Sequence, residues 1–250
     1  MTNLTLYRQV AKDALMKWYG YTDENALQRV LSEDFDELET NAKNGYNEGV
    51  WAIDSINDAV DAIADLLDFN GEERETLREA SFAKDRVEMS KEDEKVFKKV
   101  GEAAIGLEEK SILYISSRVH DGWVRREWKK FNKEGREQKR YQHLPLELIG
   151  FKEVEADLLF FKPILEAIGV EIDMDSLKKE YDKSVVKFLE TKGISSKEDL
   201  VGKILKGNEF YKPLNENQVA QSREVAEAMV NQVMSVNRAA KEVLDGKSLG

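Results

Sequence analysis

Five aspartates, Asp54, Asp58, Asp61, Asp65 and Asp68, stand at spacings of 4, 3, 4 and 3. On an α-helix that spacing puts all five carboxylates on one face. Such a row can receive the lysines and arginines of a basic protein, imitate nucleic-acid phosphates or hold a cation. Metal sites usually draw their ligands from several elements rather than from one exposed stripe. The row is therefore read as a face for a protein partner, with solubility as the plain alternative. No Lys or Arg interrupts residues 47–71, whereas a solvated helix face normally mixes both signs. Aspartate is a weak helix former, and neighbouring like charges repel. Together these effects cost the helix about 3–5 kcal/mol, so helix stability does not explain the row.

A second constellation has the opposite sign. Arg125, Arg126, Lys129, Lys130, Lys133, Arg136, Lys139 and Arg140 are interleaved with Trp123, Trp128, Phe131 and Tyr141. Cations follow phosphates and aromatics stack on bases, so residues 118–143 form the alternative site, for nucleic acid. Val124, Trp128 and Phe131 also share a helical face, which suits a core. The acidic row and the basic segment belong to one chain and can also dock on each other. Exposed ion pairs contribute only about 0–1 kcal/mol each, so the N-terminal part is expected to be held mainly by apolar contacts.

Catalytic and metal-binding patterns are thin. His120-Asp121 has the form of the doublet in HD phosphohydrolases, but those need a further upstream His. The chain has only one other histidine, His143, and it lies downstream. The doublet reads instead as a hydrogen-bonded pair at a helix end or turn. His120 and His143 are also able to flank one polar site. Glu171, Asp173 and Asp175 alternate as in a calcium loop, but Ser176 replaces the glycine of the turn and Asp182 the closing Glu. There is no P-loop, GxGxxG, HExxH or GxSxG. Without cysteine and with two histidines, most nucleophilic and acid–base arrangements lack members. No catalytic residue, metal site or cofactor is assigned. A metal-dependent hydrolase built on carboxylates is the second alternative.

Composition sets the frame for these sites. The 250 residues are 35% charged with a net charge of −11, and the three prolines all lie between 145 and 213. Residues 1–80 hold 7 basic against 18 acidic residues, and the remainder is balanced. Within that remainder, residues 110–143 hold 10 basic against 4 acidic. Such polarity speaks to partners more than to fold. The absence of cysteine removes disulfides and thiolate chemistry. No run is long enough for a membrane span, and the N-terminus does not read as a signal peptide. A cytoplasmic location without membrane contact is expected.

The elements that must position these residues are helices. Residues 5–19 form the first, stopped by Gly20, and Thr22 caps a second. Ser32 caps a third, through Phe35 and Leu38. After a loop at 41–49 comes the aspartate helix, with Ile53, Ile56, Val60, Ile63 and Leu67 on its apolar face. A short helix follows at about 72–83. Ser90 and Asp93 open another through Leu107. The stretch 111–131 reads as helix, with a short β-hairpin at Asp121-Gly122 as the alternative. Pro163 should kink or break a helix over 151–168. Asp175 is expected to cap the helix that ends before Gly193, and Ser196 with Asp199 to box the next. A last helix over 216–244 carries a seam through Val219, Val230, Val233, Asn237 and Leu244. That seam suits packing on the body or on a second copy in a homo-oligomer.

The expected fold is mainly α, with an acidic helical region over 1–82 and a larger helical region over 90–250. The leading functional reading is a non-enzymatic regulator or inhibitor that binds a protein through the acidic face.

Overall fold

The computed structural model describes residues 6–32, 50–82, 107–133, 141–167, 170–206 and 222–246, with Lys91, Lys95, Lys98, Lys99 and Glu102 between them. Among these residues all regular structure is helical. The chain divides into two compact units, each made of two separate stretches. One comprises Met1–Val119 with Ala156–Ile172, the other His120–Glu155 with Asp173–Gly250.

The first unit begins with α1 (Leu6–Tyr19) and α2 (Asp23–Ser32), which pack on each other. Gly20 ends α1 at φ 69°, and the Thr22 hydroxyl accepts the Asn25 N–H at 3.3 Å to cap α2. Next come α3 (Val50–Leu66) and α4 (Gly71–Phe82), paired with each other and each in contact with α1. Ile56, Val60 and Ile63 on α3 are buried, with Ala59, Ala62 and Ala64 beside them. Asn70 and Glu73 form a reciprocal capping box at the start of α4, at 3.0 and 3.1 Å. The helices expected at Ser32–Leu38 and Ser90–Leu107 fall largely outside the described residues.

Residues 109–133 form one helix, α5 (Glu109–Lys133), so the hairpin alternative at Asp121-Gly122 is overturned. Ile112, Ile115, Val119 and Val124 are all buried along it. At about 3.6 residues per turn Ile112, Ile115 and Val119 share one side, and burial continuing to Val124 on a different side of the same helix outweighs the Asp-Gly turn signal. A 3₁₀ turn (Tyr141–His143) and α6 (Leu146–Ile149) follow, with Pro145 at the head of α6. Then comes α7 (Phe151–Ala167), which is continuous through Pro163. The missing N–H costs the helix a hydrogen bond, but Phe161, Ile164 and Leu165, all fully buried, hold the chain on both sides of it.

The second unit is completed by α8 (Met174–Thr191), α9 (Lys197–Lys206), α10 (Arg223–Val236) and α11 (Arg238–Leu244). The cap of α8 is Asp173 and not Asp175. Its carboxylate accepts the N–H groups of Asp175 and Ser176 at 3.0 and 3.3 Å, while Asp175 sits in the first turn. These bonds depress the Asp173 carboxyl below its ordinary range, the Ser176 hydroxyl first among them. Ser196 and Asp199 do box the start of α9, and Asp199 reaches back to Ser195. The single C-terminal helix expected from the seam is two helices. The chain breaks at Asn237, whose backbone is extended and whose side chain caps α11.

Candidate functional site

The aspartate row is a helix face only in part. Asp54, Asp58, Asp61 and Asp65 lie on α3. Asp68 lies beyond its end, in the turn to α4, at φ 52°. A non-glycine residue in that conformation is uncommon, and Asp and Asn are among those that tolerate it. The turn brings α4 alongside, and α4 carries Arg74 and Arg78. Arg74 spans two carboxylates, reaching Asp61 at 3.3 Å and Asp65 at 2.5 Å. Arg78 reaches Asp61 at 2.8 Å and Glu75 at 2.6 Å. Its pairing with Asp65 above all holds the Arg74 guanidinium in its charged form.

Two guanidiniums therefore sit on the middle of the row. Asp61 and Asp65 keep 37% and 40% of their side-chain surface in water, so these bridges lie at the surface. Asp54 and Asp58 are half-buried, while Asp65, Asp68, Glu72 and Glu75 are exposed. Glu73 pairs with Lys99, which with the Asn70 N–H lowers its carboxyl pKa. Residues 50–82 still hold nine acidic residues against two arginines, a balance of −7. The sequence gives no warning of the Arg74 and Arg78 pairings, because they depend on how α4 returns along α3.

The basic segment is placed less evenly. Arg125 is exposed and Arg126 half-buried on α5. Lys129, Lys130 and Lys133 belong to the last turns of that helix. Arg136, Lys139 and Arg140 lie outside the described residues. Val124 points into the core. Trp123 is engaged within the fold, since the His120 ring stacks on it at 5.9 Å between centroids and the His143 ring lies tilted at 5.7 Å.

The two histidines thus meet on one tryptophan, though 23 positions separate them. His120 is not at a helix end or turn; it lies within α5 and is buried, as is His143. The His120 Nε2–H donates to the Leu144 carbonyl at 2.9 Å, which fixes the tautomer and ties the helix to the turn after it. Burial pushes the His120 pKa down to about 4, against the opposing effect of the bond to that carbonyl. Burial raises the Glu147 carboxyl above its ordinary range, against a hydrogen bond from its own backbone N–H and with the charge of Asp121 adding to the rise.

A third arrangement has no motif in the sequence. The Tyr181 hydroxyl is a buried junction of three hydrogen bonds. It accepts the Gly150 N–H at 3.0 Å and an Asn237 Nδ2–H at 3.1 Å, and it donates to the Leu146 carbonyl at 3.0 Å. Asn237 also donates to the Glu147 carbonyl at 2.8 Å, while its Oδ1 accepts the Ala240 N–H at 3.0 Å. Both lone pairs and the proton of the phenol are engaged, so it serves the fold and is not poised for chemistry. Burial raises its pKa far above the usual phenol value. The one signal in the sequence was Asn237 itself, an amide inside an apolar seam.

Among the described residues no group of three or more acidic or histidine side chains is arranged to hold a metal ion. No helix there is long and apolar enough to cross a membrane. The fold and these sites define a mainly helical protein of two compact units with an acidic helical pair. No protein-family model, curated protein or solved structure matches the chain.

Proposed function

We propose that this is a non-enzymatic cytoplasmic binding protein whose α3–α4 surface receives a basic segment of another protein, as a regulator or inhibitor would. The observation that carries this reading is the net negative charge of the α3–α4 pair, counted together with its own two arginines. Arg74 and Arg78 are already seated on Asp61 and Asp65, and the pair of helices remains at −7. A surface of one sign steers an oppositely charged partner and sets its register more than it adds raw affinity. A regulator that must find its target quickly and release it has use for such a surface.

The test removes charge without breaking the internal bridges. Asp68 and Glu72 are exposed and outside the Arg74–Arg78 bridges. Asp68→Asn also suits the positive φ at that position. Binding of an arginine-rich peptide, measured by calorimetry at about 50 mM salt, should be weakened by Asp68→Asn with Glu72→Gln. It should be lost at about 0.5 M salt, where charges are screened within a few ångströms. No binding by the native chain at low salt would leave the row as a solubility feature. Binding to DNA or RNA instead would move the site to residues 118–143.

A further inference from the structure

We draw no further inference here: the strongest candidate, the side-chain cluster of buried His120 and His143 on half-buried Trp123 between α5 and the 3₁₀ turn, is tied into the fold by ring contacts and the Leu144 carbonyl, and nothing in the structure shows a ligand or moving segment that it serves.

Discussion

The N–H of Gly150 donates to the hydroxyl of Tyr181 at 3.0 Å, across 31 positions of sequence. It is the residue that separates α6 from α7, and the phenol lies in the middle of α8. Tyr181→Phe keeps the ring and its tilted contact with Phe151 but removes the junction. The Gly150 N–H and the Leu146 carbonyl are then left without their partner in a buried place. Stability to urea should fall by about 1–3 kcal/mol, with the helical circular dichroism of the folded state unchanged. A loss below measurement would mean that water replaces the hydroxyl.

Gly150→Ala should be worse than a typical glycine replacement. Gly150 has φ 97° and ψ 152°, a region that essentially only glycine enters. An added Cβ would also lie 2.9 Å from the backbone oxygen of Val236. The conformation alone costs on the order of 1–3 kcal/mol, and the clash is with backbone, which cannot swing aside. Gly193→Ala, at φ 64° with open space around it, should cost less. Paired urea titrations of the two variants check the order.

Asn237 separates two effects that alanine alone would merge. Its oxygen caps α11 and its amide nitrogen holds Glu147 and Tyr181. Asn237→Asp keeps the cap acceptor but sets a carboxylate against a carbonyl oxygen. Asn237→Ala loses the cap, about 1 kcal/mol, and leaves the network short of a donor. At pH 7 the Asp variant should be the less stable of the two, and lowering the pH should recover part of its loss. Equal stability at pH 7 would show that the cap dominates.

Acid should weaken the second unit through His120. Its pKa is lowered from 6.5 in the unfolded chain to about 4 in the fold. The fold therefore favours the neutral ring, and an unfolded chain takes up the proton first as pH falls. Stability is whole above pH 6.5 and is lost between 6.5 and about 4, by about 3 kcal/mol in total. His120→Gln keeps an N–H donor without the titration, so its stability should be flatter across that window. A ring-proton titration midpoint near 6.5 would defeat the prediction.

Arg74→Gln with Arg78→Gln tests the acidic surface from the other direction. The bridges are half exposed, so stability should change by no more than about 1 kcal/mol per pair. The balance over residues 50–82 falls from −7 to −9. Low-salt binding of an arginine-rich peptide should strengthen, because Asp61 and Asp65 no longer have an internal occupant. Unchanged or weaker binding in calorimetry would count against the surface as a receiver of basic segments.

Local features were readable from the sequence and tertiary ones were not. Gly20, Thr22 and the Ser196–Asp199 box act within a few residues, so their chemistry is written in the chain. The helical character of 109–133 was carried by its buried apolar spacing. The Asn237 break was hidden because Val233, Asn237, Ala240 and Leu244 keep helical spacing across it. Asp173 and Asp175 are both eligible caps, and only the backbone geometry at 173 decides between them. Pro163 in the sequence predicts an interruption of its helix, and buried neighbours override it. The arginines on the aspartate row and the three bonds to Tyr181 join residues that no sequence pattern relates.

The interleaving of the two units has a practical consequence for taking the protein apart. The chain leaves the first unit between Val119 and His120 and re-enters it between Glu155 and Ala156. These two crossings fall inside continuous helices, α5 and α7, and a third, between Ile172 and Asp173, lies just before α8. No single cut yields either unit whole. A fragment ending at residue 119 lacks Leu158, Phe160, Phe161, Ile164 and Leu165, all buried in the intact chain. Such a fragment should be made insoluble or molten by the loss, and a two-piece expression that supplies 156–172 on a separate chain should rescue it.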